Sequence, residues 1–110
     1  METKIFDHSK KLRFSELAEF STEGITSKKI IQKKAGSVTL FAFDKGQGLS
    51  EHTAPFDAIV QVLDGKARIT IDGKPLELET GDSIIMPANV PHAVEAVDRF
   101  RMLLTMIREL

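Results

Sequence analysis

The sequence predicts an all-β fold, a barrel or sandwich of short strands, and three observations support this prediction. Apolar and polar residues alternate over short segments after Gly24, as they do in half-buried strands. Turn signals such as Asp64-Gly65 and Asp72-Gly73 separate these segments at intervals of about 8–12 residues. No segment shows the regular change between strand and helix patterns that is typical of α/β proteins. The 110 residues are enough for one such domain.

The strand pattern recurs through most of the chain. The predicted strands are 25–33, 38–43, 56–63, 66–71, 75–79, 83–86, 92–97 and 100–107. Asp64-Gly65 and Asp72-Gly73 are typical of two-residue hairpin turns, so both pairs are predicted to reverse the chain. Pro87 and Pro91 bracket a predicted loop, because proline cannot donate a ladder hydrogen bond.

The domain prediction is an N-terminal arm over 1–24 and a single β-barrel domain over 25–110. Two structures of the arm remain open. Ser15 is able to cap a short helical turn over 16–20, and the alternative is an extended segment over 12–20 whose Leu and Phe side chains dock on another surface.

Two predicted strands, 38–43 and 56–63, carry apolar residues on both faces. A barrel of this size has one interior, so the second face needs cover from the arm or from another subunit. The prediction is a homodimer packed sheet on sheet.

Composition excludes several classes of function. The net charge is −1 with acids and bases interspersed, so the sequence predicts no basic surface for binding nucleic acid. No apolar run approaches the roughly 20 residues of a membrane span, and charges over 1–8 occupy the place of the apolar region of a signal peptide. The expected location is the cytoplasm. The absence of cysteine excludes disulfides and thiolate chemistry.

Two of the three histidines follow glycine-marked turns. Five residues separate Gly46 from His52, and five separate Gly81 from Pro87, with His92 shortly after. We call these two spacings the glycine–histidine frames. Together they resemble the two motifs of the cupin family.

The resemblance covers about residues 36–107. It implies a cupin-like double-stranded β-helix, a jelly-roll barrel, in which the two histidines share one interior. It also supports the homodimer, because small cupins of this type form dimers.

In cupins three histidines and a glutamate bind a divalent metal. By this resemblance His52 and His92 are the surviving metal ligands, while Ala54 replaces another histidine and Ala58 replaces the glutamate. A metal in this set would be Fe, Mn, Ni or Zn. Protein zinc sites hold three or four protein ligands, and mononuclear iron oxygenases hold two histidines and a carboxylate, so the set is incomplete.

Nearby carboxylates are not expected to complete it. Side chains two positions apart share a face of a strand, so Glu51 and Asp57 should point away from the face of His52. Glu95 is likewise out of phase with His92.

The same alternation predicts a mostly apolar pocket. Its predicted residues are His52, His92, Ala54, Phe56, Ala58, Met86 and Met102. The other even-numbered residues of one strand face, from Phe100 to Met106, are further candidates for its walls. These walls contain no Arg or Lys, which argues against strongly anionic ligands. Val60, Val62, Ile69 and Leu104 are assigned to a filled core.

Three functions remain open. The first is a barrel that binds a small, largely apolar molecule near His52 and His92, without established catalysis. The second is a metal-dependent cupin enzyme, an oxygenase or isomerase, that uses the same two histidines as ligands. The third and weakest is a metal-free enzyme in which the imidazoles act as acid and base, since they titrate near neutral pH.

Overall fold

A computed structural model describes Phe6 and residues 8–109. Residues 1–5, Asp7 and Leu110, including the start of the predicted arm, lie outside the described residues. A short 3-10 helix, Phe14–Glu16, precedes the strands. The strands are β1 (Ile25–Lys33), β2 (Gly36–Phe43), β3 (Gly48–His52), β4 (Asp57–Ile71), β5 (Lys74–Glu79), β6 (Ser83–Met86) and β7 (His92–Ile107). Among these residues, no helix combines the length and apolarity needed to span a bilayer.

The long strands β4 and β7 pair along their lengths and join all seven strands into one continuous sheet, whose two halves are here called the two sheets. At one end, residues 57–62 of β4 pair with 102–107 of β7, and β6, β2 and β1 extend this sheet. At the other end, residues 67–71 of β4 pair with 92–96 of β7, flanked by β5 and β3. All pairs are antiparallel, and the predicted all-β double-stranded β-helix is confirmed.

Two predicted breaks in the strands are wrong. Asp64-Gly65 does not form a hairpin, because β4 continues through it with a shift of register on either side. The carboxylate of Asp64 accepts hydrogen bonds from the backbone and side chain of Arg101, which hold the two long strands together there. The predicted gap between 97 and 100 is likewise a shift of register within the continuous strand β7.

The Asp72-Gly73 hairpin is confirmed. It joins β4 to β5, and both of its residues have positive φ, at 51° and 77°. A type I′ turn requires this conformation, which matches the twist of the strands it connects.

The core lies between the two sheets. Phe43 and Phe100 stack at its centre with ring centroids 4.6 Å apart. The residues assigned to the core from the sequence, Val60, Val62, Ile69 and Leu104, are all buried.

The arm covers part of the outer face of the first sheet. Ala18 is fully buried against Leu40 and Ala42 of β2, with Phe20 packed at the edge of this cluster. The predicted helical turn over 16–20 is wrong, since the 3-10 helix precedes it and makes no side-chain cap hydrogen bond. The arm docks as the other alternative expects, but the segment 12–20 is not extended throughout, because 14–16 form the 3-10 helix.

Among the described residues, several apolar side chains elsewhere on that outer face are exposed. Pairing places five residues in one row across β6, β4, β7, β2 and β1, namely Ile85, Ile59, Thr105, Val38 and Ile31. Ile85 is 64% exposed and Ile31 is 48% exposed, and Ile107 beside the row is 57% exposed. We call these residues, with Ile107, the outer isoleucine row.

Candidate functional site

His52 ends β3, a strand that pairs with β7 through an irregular register. The irregularity between Leu49 and His52 lets both side chains face inward, although they are three positions apart. The imidazole Nδ1 of His52 lies 2.8 Å from the carbonyl oxygen of Ser50. This contact fixes the ring against its own strand, while the side chain stays exposed to solvent on one side.

His92 begins β7, directly after the loop 87–91, and is buried. Three backbone groups of this loop are held by distant parts of the chain. The amide of Ala88 donates to the carboxylate of Asp57 at 2.9 Å, the amide of Asn89 donates to the Ala54 carbonyl at 2.8 Å, and the Pro91 carbonyl accepts from Asp72 at 2.9 Å. The loop therefore fixes the position at which His92 enters the barrel.

Asn89 stands where the second cupin motif has a glycine, and the backbone explains why this departure is tolerated. Its φ is 63°, in the left-handed region that glycine adopts freely and that asparagine adopts more readily than most residues. Asn89 therefore has a backbone conformation that a glycine at this position would also adopt.

The two imidazoles lie against each other. His52 and His92 are opposite residues in the β3–β7 pair, and their ring centroids are 4.4 Å apart at an interplanar angle of 67°. The Nδ1 atom of His92 is 3.2 Å from the carbonyl oxygen of Val90. Because the carbonyl oxygen can only accept, Nδ1 is the donor in each contact, and Nε2 is the nitrogen that remains for a ligand.

The structure brings the predicted pocket residues together. A single cavity of about 50 Å³, here called the chamber, is lined by His52, His92, Ala54, Phe56, Ala58, Met86 and Met102. The third histidine, His8, is exposed on the arm. The role of the chamber residues in binding stays a prediction.

Four further residues line the chamber, namely Leu49, Val94, Leu104 and Met106. Val94 lies two positions after His92 in a regular strand, so alternation was sufficient to find it. Leu104 and Met106 share the face of Met102. Leu49 had no such signal, because only the irregularity in β3 turns it inward.

The carboxylates near the histidines make other contacts. Asp57 accepts a hydrogen bond from the loop, Glu95 pairs with Arg68 at 2.9 Å, and Glu51 is exposed. Within residues 6 and 8–109, no three His, Asp or Glu side chains are grouped so that they could hold a metal ion. The cupin type of divalent site, with three or four protein ligands, therefore does not fit the donors present.

The fold and the chamber define a class, the small jelly-roll barrels with histidines in the interior. The family model described as the cupin domain matches residues 39–107, and the chain belongs to the cupin family. No match was found among curated proteins.

Three solved structures illustrate the relationship. A conserved protein of unknown function from Streptococcus pyogenes is 35% identical over 96% of this chain and 93% of its own, with a TM-score of 0.92. A cupin superfamily protein from Desulfitobacterium hafniense is 27% identical over 99% of this chain and 100% of its own, with a TM-score of 0.90.

The third is a cupin 2 conserved barrel domain protein from Leptotrichia buccalis. It is 41% identical over 86% of this chain, with a TM-score of 0.83, and the match covers 46% of its own length.

Proposed function

We propose that this cupin barrel binds a small, largely apolar molecule in the chamber, anchored by His52 and His92. The observation that carries the proposal is the chamber itself. It is enclosed mainly by alanine, methionine and other apolar side chains, and the two imidazoles are its polar groups. Ligand sites of small molecules commonly combine apolar walls with a few placed polar groups.

The size of the chamber limits the ligand. A volume of about 50 Å³ holds only a few water molecules or a few heavy atoms. A larger molecule would keep its remaining atoms beside His52, which is exposed to solvent. A hydroxyl or similar donor near the imidazoles would find the Nε2 lone pairs as acceptors.

Phenol and benzene are suitable probes, because they differ only in the hydroxyl. Each ring is larger than the chamber, so part of it would lie beside the exposed His52. We expect both to shift the methyl NMR signals of Met86 and Met102, and phenol to bind more tightly because it can donate a hydrogen bond to an imidazole. Titrations followed by methyl spectra measure both effects.

Substitution of Ala58→Leu fills the chamber and should abolish the shifts, and Ala54→Leu is a second variant if the first fails to fold. His8→Ala is the matched control and should change nothing. Methyl shifts that persist in both Ala58→Leu and Ala54→Leu would refute the proposed site. Shifts confined to methyl groups outside the chamber would also refute it.

A metal-dependent enzyme, an oxygenase or isomerase, is the second candidate. The contacts of both Nδ1 atoms with backbone carbonyls favour it, because they orient the imidazoles as metal-ligating histidines are usually oriented. The shortage of further ligands for Fe, Mn, Ni or Zn weighs against it. Elemental analysis of protein purified without a histidine tag tests it, and stoichiometric metal lost in His52→Ala and His92→Ala would make it the better candidate.

We further propose that the barrel acts as a cytoplasmic homodimer. The described residues of the arm cover only part of the outer face, and the outer isoleucine row is mostly apolar, with Ile85, Ile31 and Ile107 exposed. Apolar faces of this kind are commonly buried against a second sheet.

A further inference from the structure

The chamber gathers nearly all the thioethers of the protein. The chain has four methionines, and Met86, Met102 and Met106 line the same cavity as both imidazoles. Met86 is 3% exposed and Met102 is 1% exposed, so their sulfur atoms are shielded from solvent by the barrel. Five side chains with nitrogen or sulfur donors thus surround one small space.

Strand pairing explains how two of these methionines meet. Ala58 is opposite Met86 on one side and opposite Met106 on the other. Directly paired residues project from the same face, and neighbouring strands lie about 5 Å apart. The alanine leaves a gap between two long flexible side chains, and Met102 reaches the same space from the position opposite Val62.

The imidazoles lie close to the spacing of a shared metal site. Two imidazoles that bind one ion tetrahedrally through bonds of about 2 Å have ring centroids roughly 5 Å apart. The observed separation is 4.4 Å with the rings edge to face, so the rings must separate slightly to share an ion. Both rings also have Nδ1 beside a backbone carbonyl, which leaves Nε2 as the donor atom.

Methionine in a core often only fills irregular space. Here its neighbours are two metal-competent imidazoles, and no carboxylate lines the chamber. Hard divalent ions prefer oxygen donors, whereas thioethers select soft ions such as Cu(I). We propose that the chamber is a Cu(I) site in which His52 and His92 act together with the thioethers of Met86 and Met102, the two most buried methionines of the chamber.

Anaerobic titration of Cu(I) in competition with bathocuproine disulfonate tests this proposal. We expect one equivalent to bind, and Met86→Leu and Met102→Leu each to weaken binding by at least about tenfold, the loss that even indirect changes around a metal commonly cause. His52→Ala and His92→Ala should do the same. Leucine has nearly the volume of methionine, so these variants should keep the fold.

His8→Ala is the control for the histidine variants, because this ring lies outside the chamber. Leu103→Met, in the cluster under the arm, is the control for exchange between leucine and methionine. Both should bind as the wild type does. Cu(I) affinity that is unchanged in the Met→Leu variants would overturn the proposal.

A second measurement needs no variant. In protein labelled at the methionine methyl groups, addition of Ag(I), a soft ion without redox chemistry under these conditions, should shift the signals of chamber methionines. X-ray absorption at the copper edge should show both nitrogen and sulfur neighbours. A shell without sulfur, or methyl signals that do not move, would also overturn the proposal.

The inference rests on the chamber of the proposed function but does not need its apolar ligand. Loss of phenol binding in Ala58→Leu with no Cu(I) binding to the wild type would support the proposed function alone. Cu(I) binding without phenol binding would support the metal site alone.

Discussion

Gly65 lies where β4 passes from one sheet to the other, and only glycine fits there. Its φ is +89°, and an added Cβ would collide with the Arg99 carbonyl oxygen and lie 2.6 Å from the Cα atom of Phe100. These are backbone atoms, which cannot rotate away. We predict that Gly65→Ala lowers the free energy of unfolding by at least about 3 kcal/mol or prevents folding, as measured by urea denaturation.

Gly73→Ala is the matched control. Gly73 also has positive φ, at +77°, but an added Cβ would have no neighbour within 4 Å. Only conformational strain remains, at about 1–2 kcal/mol. Equal losses in the two variants would show that the collision in β4 is relieved by a shift of the backbone.

Asp44 links the end of β2 to β7. Its carboxylate accepts hydrogen bonds from Arg99 Nε at 2.8 Å and from the amides of Glu23 and Lys45. The bond from Arg99, followed by that from the Glu23 amide, lowers the pKa of Asp44 from 3.8 to about 2. The folded form therefore stays ionised at pH values at which the unfolded chain binds a proton.

This difference stabilises the folded form above about pH 4, and the contribution is lost as the pH falls through about 2. We predict that the free energy of unfolding of Asp44→Asn falls less than that of the wild type between about pH 4 and pH 2. Urea denaturation at several pH values measures this difference. Asp72→Asn is the control, because the Asp72 carboxylate accepts no hydrogen bond from the described residues. If the free energies of unfolding of wild type and Asp44→Asn changed equally with pH, Asp44 would not be the group responsible for the loss of stability in acid.

At the residue scale, alternation and the glycine frames predicted which side chains surround the chamber. They worked because β4 and β7 alternate regularly beside it. They failed at Leu49, since the irregular pairing of β3 changes which side chains face inward. The thioether environment was visible only in part, because Met106 entered the sequence prediction merely as one of several residues on a strand face.

At the scale of elements, the arm is attached through Phe20 and Ala18. The Phe20 ring lies 4.2 Å from the Arg101 guanidinium carbon, and Arg101 Nε donates to the Ala18 carbonyl at 2.6 Å. We predict that Phe20→Ala lowers the free energy of unfolding by about 1–2 kcal/mol, through lost apolar burial and the lost cation–π contact.

Phe20→Leu separates these two contributions, because it keeps apolar volume and removes the ring. It should cost about 0.5–1 kcal/mol in the same denaturation measurement. A Phe20→Ala variant as stable as the wild type would show that this contact does not hold the arm to the barrel.

The elements also show where local signals fail. Asp64-Gly65 has the composition of a hairpin turn, but the bonds between Asp64 and Arg101, 37 residues later in the chain, keep the strand continuous. Asp72-Gly73 has the same composition and does form the turn. The difference lies in the long-range partner, which no short window of sequence contains.

At the scale of the molecule, the exposed apolar side chains of the outer face suggest a test of the proposed homodimer. We predict a dimer at micromolar concentration in sedimentation velocity. Ile85→Glu should give a monomer, because it places a charge in the outer isoleucine row, where Ile85 is 64% exposed. Leu76→Glu, at a position that is 47% exposed on β5, is the control and should remain dimeric. A monomeric wild type would refute the proposal.

The barrel as a whole was predictable from the regular strands and the two glycine–histidine frames. The cover of its outer face was predictable only as a choice between the arm and a second subunit. The structure places the arm over Leu40 and Ala42, and this docking depends on contacts between residues that are distant in the chain.

The two long strands have a consequence for how the molecule melts. Because β4 and β7 each contribute to both sheets, neither sheet can come apart while the other stays intact. Heating should therefore give one calorimetric transition with equal van't Hoff and calorimetric enthalpies. Polypeptides cut at Gly65 should be unable to fold separately, since each would carry only half of the shared framework.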